Sequence, residues 1–330
     1  MASPIWSRLF RSTLAHAPVD LAAQALCWRL PRHVVIEPTN HCNLRCPLCP
    51  HEQHPRPRGF MSYDDFRTLA LEAREFAHGL VLYLLGESLL HPRFFGLVAC
   101  AEEFGLRCTV TTNGELLDRH VADVFASRLT SLCVTVDGAT PETHARYRRG
   151  GDVARVRAAV ERVLAERRRL GRGPHVAVQT LALPFNAEER ESIRSWALGA
   201  GADAFVVRDV NVGIRRSSAE AQELALEYVE PAARERAIAK GAHERCEDGS
   251  RCGELWRATV LWNGDVVPCM RSAWDGRDSF GNVFRDGGLR SVWRSKRHLE
   301  HLRRHLALVG RGQCASSAGA GVAPSARPTV

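Results

Sequence analysis

Short β-branched runs alternate with longer amphipathic stretches from His33 to Arg208, and this alternation limits the possible folds more than any other feature of the chain. The runs are His33–Glu37, Leu80–Leu85, Arg107–Thr111, Ser131–Val136, Val176–Leu181 and Ala204–Arg208. Helical patterns lie between them at Ser62–Phe76, Pro92–Phe104, Leu116–Ala126, Val153–Leu170 and Ala187–Leu198. Parallel strands need a crossover of a dozen residues or more, usually a helix, so βαβ units are expected. No GxGxxG follows the first run, which disfavours a doubly wound dinucleotide-binding sheet. About six units predict an α/β fold built as a partial (β/α)6 barrel, with ligands at the carboxyl ends of the strands.

Residues 1–32 read as a helical lead-in, 33–216 as the barrel, and 217–314 as a small C-terminal auxiliary region of hairpin plus helix. The Ala/Gly/Ser/Pro-rich tail, 315–330, is expected to be disordered. Asn263-Gly264, between Thr259–Trp262 and Asp265–Pro268, signals a two-residue hairpin with a type I′ turn. The helix following it is Leu289–Leu306. The net charge of +8 is almost all Arg, Lys240 and Lys296 being the only lysines. That charge is scattered over helix faces and aromatics are only 7%, so no stacking platform for nucleic acid is expected. The longest apolar run, Leu80 to Leu85, is far short of a membrane span. The first residues lack the apolar core of a secretory signal. A cytoplasmic location, with neither membrane nor nucleic acid as partner, is the expectation.

Eleven cysteines in a reducing compartment read first as metal ligands where they cluster. Cys27, Cys100, Cys108 and Cys133 stand singly in apolar surroundings, as small buried hydrophobes do. Cys42, Cys46 and Cys49 form C-x3-C-x2-C directly after the first strand. A zinc ion could take a fourth ligand from His41, His51 or His54. A [4Fe–4S] cluster with only three local thiolates would leave one iron open to a chelating molecule. The other strand ends are also polar: GES at 86–88, TTNG at 111–114, Asp137-Gly138, Gln179-Thr180 and Arg208-Asp209.

The triplet and these strand ends together resemble the radical S-adenosylmethionine (SAM) enzymes. The resemblance implies that Cys42, Cys46 and Cys49 hold a [4Fe–4S] cluster whose fourth iron binds the SAM amine and carboxylate. It implies that Gly86 and Glu87 meet the SAM amino group, with Ser88 where the family has Pro. Thr111, Asn113 and Asp137 would belong to the same SAM-binding rim. Leu48 stands where an aromatic residue often precedes the third Cys. An electron from a reductant such as flavodoxin or ferredoxin would break the S–C5′ bond, and the 5′-deoxyadenosyl radical would take hydrogen from a substrate carbon.

Cys252, the hairpin and Cys269 resemble the auxiliary-cluster region called SPASM, or its shorter twitch form. That resemblance implies a second iron–sulfur cluster on Cys252, Cys269 and Cys314, with Ser317 where a further Cys is expected. Three readings stay open: a three-Cys cluster, recruitment of Cys246, or a scaffold without a cluster. The implied substrate is a sugar-, cyclitol- or nucleoside-like small molecule undergoing dehydrogenation, epimerisation or decarboxylation in natural-product biosynthesis. Cys246 is the candidate hydrogen donor, and Arg146, Arg148, Arg208 and Arg215 are candidate partners for an anionic group. The alternatives are a maturase of a ribosomally made peptide and a non-catalytic zinc- or iron–sulfur-binding interaction protein. Only ~32 residues precede strand one, too few for a peptide-recognition domain.

Overall fold

β-branched and other apolar residues dominate the strands, and in three of them buried and half-buried positions alternate with the period of 2 that a sheet imposes. A computed structural model describes residues 19–210, 218–234, 257–270, 272–274, 276 and 278–309. Its strands are β1 (His33–Ile36), β2 (Gly79–Leu82), β3 (Arg107–Thr112), β4 (Ser131–Thr135), β5 (His175–Leu181) and β6 (Ala204–Arg208), followed by β7 (Arg257–Val260), β8 (Asp265–Val267) and β9 (Gly281–Asn282). Val34, Ile36, Leu80, Leu82, Cys108, Val110, Leu132, Val134, Val176 and Val178 point to the helices and form the main core. Each such side chain contributes about 1.5–3 kcal/mol by leaving water. The opposite face carries Thr109, Thr111, Ser131, Cys133 and Gln179, all half-buried.

The helices are α1 (Val19–Trp28), α2 (Tyr63–Ala73), α3 (Phe94–Glu103), α4 (Val121–Ala126), α5 (Pro141–Tyr147), α6 (Val153–Leu170), α7 (Arg190–Ala200), α8 (Ser218–Tyr228), α9 (Gly288–Trp293) and α10 (Lys296–Val309). Local chemistry sets their starts. Ser62 caps α2 by accepting from the Asp65 N–H, and Asp152 caps α6 by accepting from Ala154 and Arg155. Thr140 caps α5 with Pro141 just inside the helix. Arg167, Arg168 and Arg169 sit in the last turn of α6, where cations complement the helix dipole.

The strand order is β6-β5-β4-β3-β2-β1-β7-β8-β9 in one open sheet. β1 to β6 pair in parallel, as the alternation requires, and β7 pairs in parallel with the free edge of β1. The antiparallel hairpin β7–β8 thus extends the barrel sheet past β1. Its turn differs from the expected type I′. Leu261 and Asp265 still pair, Gly264 N–H bonds Leu261 C=O at 2.9 Å, and Gly264 alone takes positive φ, at 89°. This is a three-residue loop with a glycine bulge. The expected helix Leu289–Leu306 is two helices. They break at Ser295, whose Oγ accepts from the His298 N–H at 3.2 Å. α10 packs on α1 through Leu302, Ala23, Leu26 and Cys27.

The chain after β1 is anchored to this hairpin. Glu37, fully buried, pairs bidentately with Arg56 at 2.7 Å on both oxygens. Trp262 lies against Gly59, where an added Cβ would be 2.4 Å from the indole. We expect Arg56→Met to cost about 3–5 kcal/mol, because it strands a buried carboxylate. Adding Glu37→Leu should recover most of that loss, and urea unfolding of the two variants measures both effects.

Candidate active site

Every parallel strand from β1 to β6 opens at the same rim, so the loops that leave their carboxyl ends meet there. The loop after β1 carries the cysteines. Its base is closed by Asn40, whose Oδ1 accepts from Gly59 N–H at 2.9 Å and whose Nδ2 donates to Pro57 C=O at 2.8 Å. Thr39 Oγ1 donates to Gly59 C=O at 2.7 Å, and Arg58 donates to Asn40 C=O at 2.8 Å. Within the loop, Cys49 N–H bonds Cys46 C=O at 3.0 Å and folds C-x2-C into a turn. Arg45 N–H reaches Arg149 C=O at 3.1 Å and ties the loop to the end of α5.

The loop after β2 presses on this cradle from the other side. Gly86 sits where a Cβ would be 2.2 Å from Thr39 O and 2.7 Å from His41 O, so glycine alone permits the approach. Glu87 N–H bonds His41 C=O at 2.8 Å. The Glu87 carboxylate is buried and accepts from Thr112 Oγ1 at 2.7 Å, Asn113 N–H at 2.8 Å and Leu89 N–H at 3.1 Å. Burial raises its pKa, and those three donors oppose the rise. Three of its roughly four acceptor positions are thus filled. Ser88 Oγ donates to Leu82 C=O at 2.8 Å and shapes the turn. Asn113 Nδ2 donates to Asn43 Oδ1 at 2.8 Å, joining the β3 end to the cysteine loop.

Asp137, at the end of β4, is fully buried. It accepts from Arg148 Nε at 2.6 Å and from Leu181 N–H at 2.7 Å. Its peptide oxygen accepts from Asn186 Nδ2 at 3.1 Å. The structure therefore draws Cys42, Cys46, Cys49, Gly86, Glu87, Ser88, Asn113 and Asp137 into one rim. Thr111 lies just below it on the half-buried face, paired across the sheet with Cys133. Cys133 is a correction: it is half-buried on the polar face rather than sealed in the core like Cys27, Cys100 and Cys108. Cys269 is buried two residues past β8, beside Ser272 Oγ at 3.6 Å. Cys246, Cys252, Cys314, Ser317 and Arg215 lie outside the described residues.

Thiolate sulfur is the donor an iron–sulfur centre takes, and among the described residues no group of three or more His, Cys, Asp or Glu is placed to hold a single metal ion. Burial pushes the Cys42 thiol up to about 12, and Glu87, Cys49 and Cys46 nearby add to the rise. Burial likewise raises Cys46, against the pull of Arg148. Three bare thiolates would repel one another here, whereas an iron centre neutralises them as it binds. Of the proposed zinc partners, only His51 has a ring nitrogen hydrogen-bonded among the described residues, while both His54 ring nitrogens are buried without a partner. His41 stacks on Phe60 with centroids 4.6 Å apart, His51 Nε2 bonds Asn40 C=O at 3.0 Å, and His54 lies edge-on to His51. Leu48 packs with Tyr147, Leu183, Val210 and Tyr228 in a second apolar cluster under α8. Sequence reasoning missed Asn43, gave Arg148 no place beside a cysteine, and had no reason to pick Asn40. The polar run from Glu37 to Asn43 was the only local signal for the first and last of these.

Comparison with known proteins agrees with this geometry. The chain matches the Radical SAM superfamily over residues 36–197 and SPASM, an iron-sulfur cluster-binding domain, over residues 252–316. It is 25% identical to the tungsten-containing aldehyde ferredoxin oxidoreductase cofactor-modifying protein of Pyrococcus furiosus, over 81% of this chain and 82% of that one. It is 27% identical to the GTP 3′,8-cyclase of Caulobacter vibrioides, over 56% of this chain and 54% of the other. Its fold resembles Streptococcus suis SuiB bound to S-adenosylmethionine, with a TM-score of 0.64 at 16% identity, covering 84% of this chain and 68% of SuiB. Among the described residues no helix is long and apolar enough to cross a membrane.

Gly86→Ala tests the close approach of the two loops. The added methyl must push the β2 loop off Thr39 and His41, at a cost of about 1–3 kcal/mol. Iron retained after desalting an anaerobically reconstituted sample should fall together with the urea midpoint.

Proposed function

Because the chain belongs to the Radical SAM superfamily and carries an iron–sulfur SPASM domain, we propose that it uses a [4Fe–4S] cluster and SAM to take hydrogen from a carbon of a polar, anionic small molecule. The observation that supports the substrate class is the set of polar side chains on the sheet face beneath the rim. Thr109, Thr111, Ser131 and Gln179 stand there beside Cys133 and the apolar Val81, Ala177 and Val206, and Arg208 Nε donates to Gln179 Oε1 at 3.4 Å at the outer edge. Hydroxyl-rich groups suit such a wall, and Arg208 suits a carboxylate or phosphate. The other named arginines are differently placed: Arg146 covers the Phe185 ring at 4.2 Å, and Arg148 is paired with Asp137. The relative named for GTP chemistry supports an anionic small molecule.

In this reading Cys42, Cys46 and Cys49 hold the cluster, and Glu87 offers its remaining acceptor position to the SAM ammonium. Ser88 fixes the turn that aims Glu87, while Thr111, Asn113 and Asp137 frame the rest of the SAM site. When bound, the cluster and SAM supply reductive cleavage of SAM and a hydrogen-atom acceptor strong enough for an unactivated C–H bond. Leu48, Tyr147 and Tyr228 close the rim between β4 and β6 against water. Dehydrogenation removes a further electron and proton from the substrate. That electron would pass to a second cluster on Cys252, Cys269 and Cys314. Epimerisation instead returns a hydrogen atom, with Cys246 as donor. The reductant is of the flavodoxin or ferredoxin type, the barrel is 33–216, the auxiliary region is 217–314, and the location is cytoplasmic.

The test is SAM cleavage after anaerobic reconstitution. The unaltered protein with a low-potential reductant should form 5′-deoxyadenosine and methionine. Ala at Cys42, Cys46 or Cys49 should abolish that product, and retained cleavage would remove the cluster assignment. Nucleotides or sugar phosphates should stimulate cleavage more than peptides do, and Arg208→Gln should remove most of that stimulation. Iron near eight per chain favours dehydrogenation, whereas iron near four leaves only the main cluster and favours the redox-neutral outcome.

A further inference from the structure

Arg148 stands between a buried carboxylate and a cysteine sulfur. Its Nε donates to Asp137 Oδ2 at 2.6 Å, and its Nη1 lies 3.8 Å from Cys46 Sγ. Its side chain is 15% exposed and that of Asp137 is 0% exposed. Asp137 is itself pinned by Leu181 N–H and by Thr180 Oγ1, the latter at 3.4 Å. The Tyr147 ring, with its centroid 5.3 Å from the guanidinium carbon, limits the movement of Arg148. A fixed positive charge is thus held against one sulfur, with the balancing negative charge on its far side. We propose that Arg148, positioned by Asp137, sets the reduction equilibrium of the cluster by stabilising negative charge on Cys46.

The proposal rests on the three-cysteine cluster assigned above. Reduction adds one electron from an outside low-potential donor and moves the centre from the 2+ to the 1+ state. Part of the added charge falls on the thiolate sulfurs, and nearby charge and hydrogen bonds to sulfur are established controls of cluster potential. A guanidinium in contact with Cys46 favours the reduced state, and in a water-poor site this effect is only weakly screened. The Asp137 carboxylate lies farther from the sulfur and opposes part of it. Arg148 is therefore a positioning residue for charge, and its removal and that of Asp137 must act in opposite directions.

Potentiometric EPR titration of the reconstituted full chain, read on the signal that changes when SAM is added, tests this directly. Arg148→Met should shift the reduction equilibrium at least tenfold toward the oxidised cluster, a fall of about 59 mV for one electron. Arg148→Lys keeps the charge but loses the planar fork, and should fall between Arg148→Met and the unaltered protein. Asp137→Asn still accepts from Arg148 and should shift the equilibrium toward the reduced form. Iron and sulfide content, measured on every sample, separates a lost cluster from a shifted one. An unaltered protein without the SAM-responsive signal would overturn the cluster assignment itself. Full iron content in Arg148→Met or Arg148→Lys with an unmoved equilibrium, or a shift of the same sign in the Arg148 and Asp137 variants, would overturn the role of Arg148.

Discussion

The closure of the cysteine loop at Asn40 is the contact on which the rest of the site depends. One side chain joins the two ends of the loop, accepting from Gly59 N–H and donating to Pro57 C=O. Closing a loop of this length costs entropy once, and the buried amide meets that cost with two directed hydrogen bonds. With the base shut, the backbone of Thr39 and His41 becomes a surface against which Gly86 can lie. That contact brings Glu87 to the β3 end and so to Asn113. Remove the closure, and the loop is held by Thr39 on Gly59, Arg56 on Glu37 and Arg45 on Arg149.

Charge is arranged to the same end. Glu37 and Asp137 are buried carboxylates, and each is matched by one arginine, Arg56 and Arg148. Both arginines reach back toward the cysteine loop, one from within it and one from the end of α5. Among the described residues Glu87 has no ion-pair partner, and it accepts from a hydroxyl and two peptide N–H groups. A buried carboxylate held by neutral donors is the cheapest to complete with an incoming cation, since one acceptor position remains. The site is thus finished electrostatically on the β4 side and left open on the β2 side.

Much of the fold was legible because short β-branched and apolar runs mark the strands and the longer helices are long enough to show their period. β6 and α6 match their sequence-derived limits at both ends, and β3 and β4 differ by a single residue at one end. α5 was missed because seven residues are too few for a period, although Thr140-Pro141 marks its start. The hairpin turn was misread because Asn263-Gly264 favours a two-residue loop, whereas the register of β7 is set by β1 and leaves a three-residue one. In the site, the C-x3-C-x2-C spacing is local and readable. The Cys46–Arg148 and Asn43–Asn113 contacts join positions 102 and 70 residues apart, and no local pattern could announce them.

The central claim is that the loop after β1 is a closed cradle for a cluster with three protein thiolates and one iron left free. Mössbauer spectroscopy of the ⁵⁷Fe-reconstituted chain, recorded with and without SAM, measures this directly. One iron of the main cluster should separate from the other three when SAM is added, and Cys42→Ala should erase that cluster's spectrum. Four irons unchanged by SAM, or a spectrum that survives Cys42→Ala, would contradict the account.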